Sequence, residues 1–95
     1  MPAVTRKGDD CTGHGAFGPR PSSAGSPNVL INGIPAHRVG DAWPSHCDPD
    51  TCHESVLSGG SSTVMVNGKP LGRVGDPVAC GSAVAAGSPN VFAGG

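Results

Sequence analysis

The apolar residues of this chain follow no helical period. They come in short, mostly β-branched runs, and two of these runs stop at Asn-Gly. Val29-Leu30-Ile31 leads into Asn32-Gly33, and Val64-Met65-Val66 leads into Asn67-Gly68. Asn-Gly is the strongest short-range hairpin signal, because both central residues of the favoured tight turn need positive φ. Each return segment carries Pro35 or Pro70 and then Arg-Val-Gly-Asp. Proline cannot donate to a ladder, so the return strand is expected at an edge or paired on one side only. Gly8-Asp9, Gly40-Asp41 and Gly75-Asp76 read as turns that end each strand.

Residues 25–41 (GSPNVLINGIPAHRVGD) and 60–76 (GSSTVMVNGKPLGRVGD) agree at ten of seventeen positions without a gap, a strong repeat signal. A third copy is split, with its first half at 87–95 (GSPNVFAGG) and its last four residues at 6–9 (RKGD). End units of an open solenoid diverge into caps. Both ends here keep the repeat, so the C-terminal segment is expected to pair with the N-terminal one. The predicted fold is all-β: one domain over 1–95, a pseudo-threefold ring of three short β-hairpin repeats closed by the termini, with much of the chain in loops.

Composition sharpens this picture. Of the 34 hydrophobic residues in 95, ten are Ala and four are Cys, so a chain this short has little core and needs another staple. Gly and Pro total 26, a level that suggests disorder in a chain without a period. The net charge of −1, the absence of a basic stripe and the near absence of aromatics argue against nucleic acid as a partner. Met1 to Lys7 lack the apolar core of a signal peptide and no run is long enough to span a bilayer. Synthesis is therefore expected in the cytoplasm, where Cys clusters more often mean metal than disulfide.

The connections between units are Asp10 to Ala24, Ala42 to Gly59 and Pro77 to Ala86, and by pseudo-symmetry they gather at one end. They hold Cys11, His14, His46, Cys47, Cys52, His53 and Cys80, leaving only His37 in the repeat body. His14 lies five residues after Asp9, His46 five after Asp41, and Cys80 four after Asp76. Equivalent loops thus bring imidazole, imidazole and thiolate to equivalent places. Such N and S donors suit a closed tetrahedral structural zinc, one per chain, which contributes on the order of 10 kcal/mol to folding in small domains. A fourth ligand comes from the second loop, where His53, Cys52 and Cys47 compete. Competing readings are a disulfide or unligated polar cluster, a Cys-His catalytic pair, and a small zinc hydrolase using Glu54 as general base. His37 aligns with Gly72 and is expected at the surface; Arg6, Arg38 and Arg73 are expected to pair with Asp9, Asp41 and Asp76 or with backbone carbonyls. Trp43 reads equally as a core plug or a partner anchor.

With Asn-Gly, Pro-Ala-His-Arg at Pro35 to Arg38, Gly-Asp, and Gly-Ser-Pro-Asn-Val at Gly25 to Val29 and Gly87 to Val91, the chain resembles the PAAR-repeat family over nearly its whole length. The second copy departs from the name-giving tetrapeptide as Pro-Leu-Gly-Arg at Pro70 to Arg73, and near the N-terminus only Arg6 remains. The resemblance implies a small non-catalytic cone that caps a homotrimeric β-helical spike protein, pierces the target cell envelope, and acts on no small-molecule substrate. It also implies an apical zinc held by three histidines and one cysteine, which selects His14, His46, His53 and Cys80. Cys-Thr-Gly-His-Gly at Cys11 to Gly15 and Gly-Asp-Ala-Trp at Gly40 to Trp43 look most like the stand-alone spike tip of a contractile-tailed phage, a virion component, with a type VI secretion tip as the alternative.

Overall fold

The computed structural model describes residues 1–13, 19–47 and 52–94, with only the backbone described at 44–47 and 52–54. The named elements are all strands: β1 (Leu30–Ile31), β2 (Ile34–Pro35), β3 (Ala42–Cys47), β4 (Cys52–Val56), β5 (Met65–Val66) and β6 (Lys69–Pro70). They pair as three antiparallel hairpins in a body of 38 × 23 × 23 Å. The fold is the expected all-β cone.

Both Asn-Gly turns form as the residues dictate. Asn32 and Gly33 have φ of 55° and 76°, and Asn67 and Gly68 have 54° and 78°, so both central residues of each turn are left-handed. Leu30 then faces Pro35, and Met65 faces Pro70. At the equivalent positions of the split copy, Phe92 bridges Ala3, and Ala93 N–H donates to Pro2 O at 3.1 Å. This hairpin has the same pairing, but the chain ends stand where the other two have their turn. The third two-stranded sheet, β3 with β4, lies in the second connection, which the sequence reads as a loop. Its ladder slips between Trp43 and His46, where Pro44 and Ser45 stand against Glu54 alone. Proline forfeits a ladder bond, and a bulge is where such a residue is tolerated.

Closure of the ring is carried by backbone hydrogen bonds that recur at equivalent positions. Thr5 N donates to Gly72 O, His37 N to Thr5 O and Gly72 N to His37 O, at 2.9, 3.1 and 2.9 Å, a cycle around the axis. A second cycle runs from Lys7 N to Pro35 O, Val39 N to Pro70 O and Val74 N to Ala3 O, at 2.8, 2.9 and 2.8 Å. The return strands are therefore not edges. Their prolines offer carbonyls to the next unit, a bond that needs no proline N–H. A third cycle ties the connections together: Ser23 N to Ala42 O, Ser58 N to Pro77 O and Ala85 N to Asp10 O.

Two apolar layers flank the axial cycle. Toward the Asn-Gly turns lie Val4, Ala36 and Leu71 with Ile31, Val66 and Ala93; toward the connections lie Cys11, Trp43 and Val78 with Leu57 and Val84. Cys11 and Trp43 are each 2% exposed, so Trp43 is a core plug and Cys11 takes the same layer position. The three side chains of the axial level, Thr5, His37 and Gly72, differ greatly in size. His37 is 0% exposed, which corrects the expectation of a surface histidine. Its bulk is balanced at Gly72, where an added Cβ would come within 2.5 Å of Leu57 Cδ2, 2.8 Å of Thr5 Cγ2 and 3.1 Å of His37 O. Gly72→Ala is therefore expected to cost about 1–3 kcal/mol through overpacking against side chains and a backbone carbonyl. Chemical denaturation checks it; a variant as stable as the parent would mean the axis is loosely packed.

Candidate functional site

The broad end presents one repeat position three times, each time with a large apolar residue. Leu30, Met65 and Phe92 hold the same repeat position and are 58%, 53% and 51% exposed, in a chain with few large apolar residues to spare. Val29 and Val64 stand beside them at 36%. The hairpins carrying this ring are held by polar bonds beneath. Ser26 Oγ accepts from Val29 N, Ser61 Oγ from Val64 N and Ser88 Oγ from Val91 N, at 2.9, 3.0 and 3.0 Å. The Asn-Gly asparagines reach into the neighbouring copy, Asn32 Nδ2 to Asn90 Oδ1 and Asn67 Nδ2 to Asn28 Oδ1, both at 2.8 Å.

Arg6, Arg38 and Arg73 pair with Asp9, Asp41 and Asp76, the expected structural pairing, at 2.9, 2.8 and 2.9 Å. Each guanidinium is bidentate, with Nε on one carboxylate oxygen and Nη2 on the other. Nη1 reaches onward to Asn32 Oδ1, Asn67 Oδ1 and Gly94 O of the next unit, so each pair also locks a turn to its neighbouring hairpin. Burial alone would raise the Asp41 carboxyl, but the hydrogen bonds from Arg38 outweigh it and hold the group below the usual carboxylate range.

Between the two apolar layers, His37 Nδ1 lies 2.9 Å from Ala24 O, and the imidazole packs on the Trp43 indole with ring centroids 4.2 Å apart. Among the described residues, neither His37 Nε2 nor Trp43 Nε1 has a hydrogen-bond partner, although both are buried. Burial pushes the His37 pKa down, ahead of the opposing pull of Ala24 O and of Asp41. The unfolded chain takes up a proton near pH 6.5 that the folded chain refuses. Stability is therefore full above about pH 6.5 and falls below it, with a slope approaching roughly 1.4 kcal/mol per pH unit, until the depressed native pKa is passed. His37→Gln should remove this slope relative to the parent in denaturant titrations across pH 5 to 8; parallel curves would place the proton uptake elsewhere.

At the narrow end, the metal-ligand candidates are placed unequally. His14 lies outside the described residues. His46 and His53 are directly opposed in the β3–β4 ladder, as are Cys47 and Cys52, while the side chains at these four positions lie outside the description. Cys80 is half-buried in the turn before Gly81, whose φ is 103°. Among the described residues, no three His, Cys, Asp or Glu side chains gather into a group that could hold a metal. The backbone does bring the three connections together close to the candidates. Ala79 N donates to Val56 O at 3.0 Å, joining the Cys80 turn to the end of β4, and Thr12 N donates to Ala83 O at 2.7 Å, joining the first connection to the third.

Sequence reasoning missed His37 and the core role of Cys11. The signal for Cys11 was present: Cys11, Trp43 and Val78 each lie two residues after a Gly-Asp, so they share one layer position.

Compared with known proteins, the chain matches the family model described as the PAAR motif over residues 9–86, while no curated protein matches it. That match spans most of the sequence and covers both full repeats and the three connections, while nearly all of the split copy at the termini lies outside it. The chain belongs to the PAAR-motif family, the structural spike-tip proteins of contractile injection systems.

Proposed function

We propose that this chain caps a homotrimeric β-helical spike with its broad end, one tip per trimer, and forms the non-catalytic point that meets the target cell envelope in a phage tail. A tip of a type VI secretion spike uses the same surface. The observation that carries the reading is the threefold ring of half-exposed Leu30, Met65 and Phe92. A flat threefold end of a homotrimer offers three equal contacts, and a surface with three like apolar patches at equivalent positions can meet all of them at once. Among the described residues β1 and β5 pair with β2 and β6 alone, which leaves their outer edges as further surfaces for strand pairing. Leu30→Asp, Met65→Asp and Phe92→Asp should each leave folding stability within about 0.5 kcal/mol, because the residues are exposed. Each should weaken binding to the trimeric spike by roughly 2 kcal/mol, about 30-fold, in a calorimetric titration. Binding unaffected by all three would remove the broad end as the docking face.

The narrow end is proposed to hold one structural zinc through His14, His46, His53 and Cys80. Two features support this set. Opposed positions of an antiparallel pair share a face and successive positions alternate, so His46 shares a face with His53 and not with Cys47 or Cys52. The hydrogen bonds of Thr12 and Ala79 bring all three connections together within a few residues of the candidates. When bound, zinc would link the three connections beyond the apolar layer of Cys11, Trp43, Leu57, Val78 and Val84. Metal analysis should find one zinc per chain. Chelation, His14→Ala or Cys80→Ser should each cost several kcal/mol, which at about 4–8 °C per kcal/mol moves the melting midpoint by tens of degrees. Cys47→Ser should keep the zinc. Loss of metal in Cys47→Ser, with retention in Cys80→Ser, would exchange the sulfur ligand.

A further inference from the structure

The register of β3 and β4 sets Cys47 directly opposite Cys52 as the last pair of the ladder, midway along the longest connection. Opposed residues of an antiparallel pair have Cα atoms about 4.5–5.5 Å apart, inside the roughly 4.4–6.8 Å range that a disulfide spans without backbone movement. The other cysteines are committed elsewhere: Cys11 is buried in the apolar layer with Trp43, Leu57, Val78 and Val84, and Cys80 sits on the third connection, packed against that layer. We propose that Cys47 and Cys52 form a redox site, reduced in the cytoplasm and closed to a cross-strand disulfide once the tip meets an oxidising exterior. The site lies on the face of the ribbon opposite His46 and His53. It rests on the ladder register and is independent of the metal reading.

The reaction needs an external disulfide such as oxidised glutathione. One cysteine thiolate attacks a glutathione sulfur, forming a mixed disulfide and expelling one glutathione thiolate. The second cysteine thiolate then attacks the protein sulfur of that mixed disulfide, and the second glutathione leaves as thiolate. Two protein thiols are oxidised, one glutathione disulfide is reduced to two glutathiones, and the cysteine protons pass to the departing thiols or to water. The register favours the second step, because the second cysteine stands at the opposed backbone position instead of being found by diffusion. The bond would staple a hairpin whose ladder is interrupted at Pro44 and Ser45.

The test is to treat the folded full chain with oxidised glutathione, block remaining thiols, and digest with trypsin without reduction. Lys69 precedes Pro70 and resists cleavage, so residues 39–73 form one peptide that contains Cys47 and Cys52 and no other cysteine. That peptide should appear about 2 Da lighter, regain its mass on reduction, and carry no glutathione. In Cys52→Ser the reaction should stop at the mixed disulfide, leaving an adduct of about 305 Da on Cys47. Zinc measured in the same samples should not change on oxidation, and a chain that binds no zinc at all would leave the mass result equally readable. Cross-links to the Cys11 or Cys80 peptides, a persistent glutathione adduct on the parent chain, unreacted thiols, or zinc released in step with oxidation would each overturn the proposal.

Discussion

The structure depends on three segments of one chain meeting backbone to backbone at an axis. Thr5, His37 and Gly72 each donate to one neighbour and accept from the other, so their central peptide groups are satisfied only if the cycle is complete. Buried N–H and C=O groups away from water must be paired, and an open arrangement would orphan one donor and one acceptor at the break. The meeting of the chain ends follows from this. The pairing of Phe92 with Ala3 supplies, from the two termini, what a turn supplies in the other two copies. The side chains at that level must then share one small space, and the bulk of His37 is balanced there by the missing side chain of Gly72.

The three Arg–Asp pairs extend the same closure outward. Net stability from a buried ion pair is uncertain in sign, because desolvation offsets the attraction. Their geometric role is clearer: one guanidinium holds its own Gly-Asp turn through two bonds and the next unit's hairpin through a third. Repeating this three times fixes the spacing of Leu30, Met65 and Phe92. The regularity of the broad end is thus built from polar bonds below it, and the apolar ring above is left free to face outward.

Features set by local chemistry were legible in the sequence. Asn-Gly fixed the turns, the split repeat announced closure, and the spacing of Arg from Asp foretold the ion pairs. The position of His37 was not legible by the same logic. Aligning it with Gly72 suggested that the position had no common role, whereas across a threefold axis a large residue in one copy requires a small one in another. Size complementarity within one repeat position was the overlooked signal. The β3–β4 hairpin was hidden for a different reason. Ala42-Trp43-Pro44-Ser45-His46-Cys47 has neither alternation nor turn chemistry, and its pairing comes from tertiary position beside Leu57 and Val78. Of the candidate metal ligands, the register links His46 with His53 in the ladder and Cys80 has a described turn, while His14 lies beyond what is described.

A fused repeat also opens options that a true trimer lacks. Three identical chains place three identical residues at every level, so an axis occupied by Thr, His and Gly is closed to them, and so is an apex of three like donors with one unlike donor. One chain with three diverged copies can keep equality where a threefold partner would demand it and abandon equality where packing or ligation demands difference. This molecule divides along that line. The Asn-Gly turns and the Arg–Asp supports agree across the two full copies, the exposed position of Leu30, Met65 and Phe92 keeps its apolar character and changes its residue, and the axis and the connections differ in size, chemistry and length. Like character at the broad end beside unlike residues on the axis and in the connections is the arrangement that the proposed docking to a threefold partner calls for in a single chain.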